Sequence, residues 1–80
     1  MSKDIFQLSK AKIGSMVEVH SLKSTGLLRQ RMLDLGIFPG SIVFVLRKSP
    51  WNDPTAYIIK DTCIALRKEE ADKIFVCSIN

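Results

Sequence analysis

The sequence has few of the residues on which catalytic and metal centres are usually built. Its 80 residues contain one histidine and two cysteines. A single histidine, His20, cannot supply a histidine-rich zinc site, and the spacing between Cys63 and Cys77 matches no recognised metal or redox motif. The adjacent acids Glu69 and Glu70 point about 100° apart on a helix, so they do not face each other as a catalytic pair. Phosphate-binding glycine motifs and HExxH are absent. We therefore predict no enzyme activity, no cofactor and no metal ligand.

Long apolar runs and blocks of charge are also missing. The longest apolar run, residues 42–46, is far shorter than the roughly 20 residues of a membrane-spanning helix, and the N-terminus lacks the apolar stretch of a secretory signal. We therefore expect a cytoplasmic chain without a membrane span. The net charge of +4 comes from 12 basic and 8 acidic residues, and aromatic residues make up only 8% of the chain. Without a basic block or a series of aromatic platforms, nucleic-acid binding is not favoured.

What the chain does have is a hydrophobic fraction of 46% spread along its whole length. A chain of this size forms one compact domain and buries only about 60 to 65% of its unfolded surface, so most apolar side chains are needed for a single core. We expect residues 1–80 to form one domain with little left over for a deep active site. The two cysteines lie in apolar stretches and are expected to be buried, unpaired thiols.

Hydrophobic periodicity predicts five short strands and two helices. An N-terminal arm, residues 4–12, is expected to contain one helical turn. The apolar run at 41–48 is expected to be a strand buried on both faces, because both of its alternating phases are apolar. The strands are expected at 16–22, 41–48, 55–60, 63–66 and 74–79, and the helices at 26–35 and 67–73.

The first predicted helix has one clear core stripe and one residue outside it. Leu28, Met32 and Leu35 recur at helical spacing and form the stripe. Gly36 follows directly and suits the left-handed position that ends many helices. Leu33 lies roughly 140° from the stripe. It is therefore expected to face either the N-terminal arm or a partner.

These elements predict the fold class. Five short strands with one helix after the first indicate a strongly bent antiparallel sheet that closes into a small barrel, since closure removes exposed strand edges. We predict a mainly β, SH3-like antiparallel β-barrel with one inserted α-helix and a short C-terminal helix.

Three sequence blocks resemble one known family. Residues 28–41 read LRQRMLDLGIFPGS, residues 49–54 contain the pairs SP and DP, and residues 64–71 read IALRKEEA. In this order and spacing the blocks are similar to the FeoA family, small proteins that accompany the bacterial ferrous iron transporter FeoB. The resemblance covers residues 8–76 and implies an SH3-like β-barrel. Trp51 departs from the family pattern, which usually has Leu-Gly at 51–52, and it makes the loop bulkier.

The resemblance also implies a function and a partner. It implies an accessory or regulatory role in ferrous iron uptake through docking on the cytoplasmic part of FeoB, a membrane protein with a GTPase region. A small excess of positive charge suits a position close to an anionic membrane. The apolar candidates for the contact are Leu33, Phe38 and Trp51, and the charged candidates are Arg29 and Arg31.

Two alternatives stay open. The chain is alternatively a transition-metal-binding chaperone or sensor, with a mixed site of His20, a cysteine and a carboxylate that no spacing in the sequence specifically favours. An exposed apolar spot also serves a homodimer as well as it serves a different partner, so the sequence leaves the oligomeric state open.

Overall fold

Six strands and three helical segments follow one another along the described chain. The computed structural model describes residues 4–51 and 53–79. In chain order the elements are β1 (Ile5–Gln7), a 3-10 turn (Leu8–Lys10), β2 (Met16–Leu22), α1 (Gly26–Asp34), β3 (Ile42–Lys48), β4 (Thr55–Ile59), β5 (Thr62–Leu66), α2 (Lys68–Ala71) and β6 (Ile74–Ser78).

The strands form one antiparallel sheet in the order β1-β6-β2-β3-β4-β5. The mainly β antiparallel architecture, the helix after the first long strand and the short C-terminal helix are confirmed. The N-terminal arm differs from the expectation, because Ile5–Gln7 pairs with β6 as a sixth strand before the helical turn begins. Three residues are too few for an alternating pattern to be recognised, so this pairing depends on the rest of the sheet.

One face of the sheet encloses the core. Val17 and Val19 of β2 and Val43 and Val45 of β3 are at most 2% exposed, and Tyr57 of β4 is among the largest side chains buried with them. These side chains alternate along their strands with residues of the opposite face. The core is therefore enclosed by one phase of each strand.

Helix α1 contributes its predicted stripe to this core. Met32 is 1% exposed, and Leu28 and Leu35 are half-buried against the same cluster. Gly36 follows the helix with φ of +91°, a value that favours glycine, and the N–H of Ile37 donates to the Met32 carbonyl at 2.9 Å. The predicted helix end is confirmed.

Strand β3 is buried on one face only, so the expectation of burial on both faces is wrong. Val43 and Val45 are buried, whereas Ile42 is 41% exposed and Phe44 is half-buried. Both phases of the strand are apolar, but only one phase of a strand in this single sheet can face the core. The other phase of β3 lies on the outside of the sheet.

Candidate functional site

The five residues predicted to contact a partner lie on three segments. Arg29, Arg31 and Leu33 belong to α1, Phe38 lies in the turn before β3, and Trp51 lies in the loop between β3 and β4. Trp51 is 83% exposed and Phe38 is 38% exposed, while Leu33 is half-buried. The structure therefore leaves the two aromatic residues more accessible than the leucine.

The two arginines of α1 differ in their surroundings. The guanidinium of Arg31 donates to the carboxylate of Glu70 in α2. The other oxygen of that carboxylate accepts the backbone N–H of Arg67 at 2.9 Å, so Glu70 joins α1 to the start of α2. Arg29 is exposed and forms no ion pair with any residue from 4 to 51 or 53 to 79. Of the two, Arg29 is the freer to meet a partner.

Phe38 is held against the turn that joins β4 to β5. The Nζ atom of Lys60 lies 4.5 Å from the centroid of the Phe38 ring, within the range of a cation–π contact. Lys60 and Asp61 both have positive φ, as a tight two-residue hairpin turn requires. One face of the ring is thus occupied inside the chain, and its remaining exposed surface is what a partner would contact.

The loop that carries Trp51 is anchored at its base. Ser49 donates its backbone N–H to the Pro54 carbonyl at 3.0 Å, and its hydroxyl accepts the N–H of Asp53 at 3.1 Å. The Asp53 carboxylate in turn accepts the N–H of Lys68 at 2.8 Å, which joins the loop to α2. These bonds join the base of the loop to its own strands and to α2, and the Trp51 side chain is exposed to solvent beside them.

Two small cavities lie beside this loop and share Lys48. The first has a volume of about 230 Å³ and the second of about 340 Å³. The side chains that line them are mainly basic, hydroxyl-bearing and apolar. The first is lined by Arg47, Lys48, Ser49, Pro50, Pro54, Ala56 and Ala65, and the second by Ser9, Lys48, Thr55, Tyr57 and Lys68.

Two titratable groups near the second cavity have shifted pKa values. Burial raises the pKa of Tyr57, which keeps its phenol protonated. The hydroxyl of Ser9 donates to the Asp72 carboxylate and lowers the pKa of that group, with a further contribution from Lys68. Burial in the core is the main cause of the raised pKa of Tyr57, and the hydrogen bond from Ser9 is the main cause of the lowered pKa of Asp72.

The candidate residues for a metal site are not brought together. Cys63 is exposed and Cys77 is buried, so the expectation that both thiols are buried is wrong for Cys63. Its strand, β5, is the last of the sheet, and its side chain points away from the core. Within residues 4–51 and 53–79, no three His, Cys, Asp or Glu side chains form a group that could hold a metal ion. Nor does that part of the chain contain a helix long and apolar enough to cross a membrane.

Sequence reasoning missed an apolar area on the outside of the sheet. Its side chains lie on the face of the sheet opposite to the core, where the apolar run of β3 predicts burial on both faces and the structure shows exposed side chains. We call this area the outer face and define it by Ile5, Met16, Glu18, Ile42, Phe44 and Ile79. Leu27, which is 90% exposed at the start of α1, was also missed, but it stands alone, and single exposed leucines are common on protein surfaces.

Comparisons with known proteins agree on one family. Residues 6–77 match the family model described as "FeoA domain". The chain is also 33% identical over 70 residues to a protein of Porphyromonas gingivalis (strain ATCC BAA-308 / W83) named "Fe(2+) transport protein A/Fe(2+) transporter FeoB fusion protein". The match covers 88% of this chain but only 8% of that protein, so the chain spans less than a tenth of the relative.

Solved structures agree with the fold. The solution structure of iron(II) transport protein A from Clostridium thermocellum superposes with a TM-score of 0.89 at 30% identity, over 92% of this chain and 46% of that one. FeoA of Stenotrophomonas maltophilia complexed with zinc, described as a prokaryotic SH3 domain protein, gives a TM-score of 0.79 at 25% identity, over 89% and 88% of the two chains. The SH3-like barrel predicted from the sequence is confirmed.

Proposed function

Because the chain belongs to the FeoA domain family, we propose that it is a non-catalytic accessory protein of ferrous iron uptake that docks on the cytoplasmic part of a FeoB-type transporter. The observation that carries this proposal is the fusion protein of P. gingivalis, in which an iron transport protein A part and a FeoB part share one chain. Fusion of two proteins makes their encounter intramolecular and raises their effective concentration. A separate chain has to obtain the same association through its surface, and a cytoplasmic location follows from the proposed partner.

The surface candidates differ in how readily they reach a partner. Trp51 is the most accessible aromatic residue, and tryptophan is enriched among residues that dominate binding energy. Phe38 offers the part of its ring that remains exposed beside Lys60, and Arg29 offers a cation without an ion pair in the described residues. Arg31 has part of its guanidinium engaged by Glu70, and half-buried Leu33 contributes a smaller area. We therefore rank Trp51 first among the five.

A binding titration tests the proposal. The full chain is titrated into the purified cytoplasmic region of the FeoB-type transporter from the same genome, with and without a bound guanine nucleotide. We expect saturable binding in at least one nucleotide state. Trp51→Ala is expected to weaken it about tenfold, the effect of losing roughly 1.4 kcal/mol. Absence of association in every nucleotide state contradicts direct docking.

A second candidate function is the binding of a transition metal ion. The observation that favours it is the zinc complex of the similar FeoA from S. maltophilia. In this chain His20 and Cys63 are exposed, and single side chains of this kind bind zinc weakly unless further ligands complete the site. Calorimetric titration of the chain with Zn²⁺ and Fe²⁺ tests this function. A stoichiometric, submicromolar site that His20→Ala removes would establish it in place of a purely docking role.

A further inference from the structure

The outer face is formed by cross-strand neighbours on four adjacent strands. Met16 of β2 stands opposite Phe44 of β3, and the N–H of Ile79, directly after β6, donates to the Met16 carbonyl at 3.3 Å. Two residues further along β2, Glu18 stands opposite Ile42 of β3 on one side and Cys77 of β6 on the other. Residues opposite each other in an antiparallel ladder have side chains in contact on the same face. The apolar side chains therefore form one continuous area.

This apolar area is open to solvent. Ile5 is 48% exposed, Met16 40%, Ile42 41% and Ile79 39%. Large exposed apolar side chains are common singly, but a contiguous group of them marks an interaction surface more often than a solvated one. Four of the eight large hydrophobic residues that are exposed in the described chain lie on this face. The outer face is thus the largest concentration of accessible apolar side chains there.

The charge on the outer face is the second observation. Glu18 lies within the apolar area, half-buried, and both of its cross-strand neighbours are apolar. Its carboxylate forms no hydrogen bond or ion pair with a side chain in residues 4–51 and 53–79. A partner that covers the face also covers this carboxylate, and a covered carboxylate requires a cation or hydrogen-bond donor opposite it.

The need for a cation or hydrogen-bond donor opposite Glu18 distinguishes between the molecules that could cover the outer face. A second copy seated on the same face brings a second Glu18 carboxylate into one small apolar interface, and none of the side chains that define the outer face is a cation to pair with it. An anionic membrane surface repels the carboxylate and removes it from water. An apolar segment of a protein partner that carries a lysine or arginine satisfies both the apolar area and the charge.

We propose that the outer face is the surface through which this chain docks on an apolar protein segment that carries a basic side chain opposite Glu18. The proposal rests on the proposed function, because the segment is expected to belong to the FeoB-type partner. It adds a contact surface separate from the Trp51 loop. The apolar side chains supply the buried area, and Glu18 selects a partner of positive charge.

The test is the same titration with variants of the outer face. Ile42→Ser and Ile79→Ser remove exposed apolar area without touching the core, and each is expected to weaken binding about tenfold. Glu18→Lys is expected to weaken binding more than Glu18→Gln, since it places a second cation opposite the partner's. Leu27→Ser, which removes an exposed leucine elsewhere, is the matched control and is expected to bind as the wild type does. Circular dichroism confirms that each variant is folded.

The outcomes separate this proposal from the proposed function. If the wild type binds and Ile42→Ser, Ile79→Ser and Glu18→Lys bind equally well, the outer face is not the docking surface and the proposed function stands. If the wild type does not bind, both fail. If Glu18→Lys strengthens binding, the partner segment is acidic and the proposed occupant is wrong. If sedimentation shows a wild-type dimer that Ile42→Ser dissociates, the occupant is a second copy and this proposal is overturned.

Discussion

At the scale of single residues, the two cysteines differ in the accessibility of their thiols. Cys63 is exposed on β5, whereas Cys77 is 8% exposed and its thiol contacts the Glu18 carbonyl at 3.8 Å. Alkylation requires an accessible thiolate. We predict that iodoacetamide modifies one thiol per chain in the native protein and two in urea, as measured by mass spectrometry. Peptide mapping should place the native modification on Cys63, and equal native labelling of both would contradict the described burial of Cys77.

A second residue-scale prediction concerns Asp72. Ser9 lowers the pKa of this carboxyl from its usual value of 3.8 by hydrogen bonding to the charged form. A carboxyl whose folded pKa is depressed stabilises the fold above its unfolded pKa, and this stability is lost as the pH falls through the folded pKa. We predict that Ser9→Ala raises the pKa of Asp72 and lowers the free energy of unfolding at pH 7 by about 0.5 to 1 kcal/mol.

The measurement is urea unfolding at pH 7 and at successively lower pH, with the Asp72 pKa followed by NMR. The difference in stability between Ser9→Ala and the wild type should shrink as the pH falls through the folded pKa of Asp72, because protonation removes the charge that the Ser9 hydroxyl stabilises. A difference that stays constant as the pH falls would show that the hydroxyl acts without the charge of Asp72.

At the scale of elements, Glu70 connects the two helices. It accepts from Arg31 of α1 and from the N–H of Arg67 at the start of α2. Since the ion pair is partly exposed, Arg31→Ala should cost at most about 1 kcal/mol of folding free energy. Glu70→Ala also removes the acceptor for the backbone N–H and should cost more, about 1 to 2 kcal/mol.

A double-mutant cycle separates the two roles of Glu70. The coupling free energy between Arg31→Ala and Glu70→Ala, from denaturant unfolding, should be about 0.5 kcal/mol, because screening by water weakens an exposed pair. A coupling as large as the whole effect of Glu70→Ala would mean that the backbone hydrogen bond contributes nothing. That result would contradict the assigned role of Glu70 at the start of α2.

Local sequence patterns were sufficient to predict a strand or helix wherever the segment itself carries an alternation, an apolar stripe or a terminating glycine. The extent of β2 follows from strict alternation, and the end of α1 follows from its apolar stripe and Gly36. Strand β1 has too few residues for such a signal and is determined by its pairing with β6. The single-sided burial of β3 depends on how many layers the fold has, which an apolar run does not reveal.

The same difference between local pattern and tertiary structure decides which residues of the candidate site could be predicted from the sequence. An aromatic residue in a loop of turn formers is visible in the sequence, and Trp51 is indeed exposed. The pairing of Arg31 with Glu70 joins residues 39 positions apart and needs the tertiary structure. The outer face is assembled from four strands, so its apolar residues look like core residues until the register shows which phase faces outward.

At the scale of the whole molecule, the small size of the chain commits most of its apolar side chains to one core. One phase of each strand and the stripe of α1 fill the core, and the cavities beside the Trp51 loop have volumes of about 230 and 340 Å³. Under the proposed function, the contacts with the partner lie on the outer face and the Trp51 loop.

Uptake of radiolabelled Fe²⁺ tests the central claim most directly. Cells that contain the FeoB-type transporter but lack this chain are compared with cells that regain the wild type, Ile42→Ser or Leu27→Ser at equal protein levels. We predict that loss of the chain changes the initial uptake rate, that the wild type and Leu27→Ser restore it, and that Ile42→Ser does not. An uptake rate that is the same with and without the chain would contradict an accessory role in ferrous iron uptake.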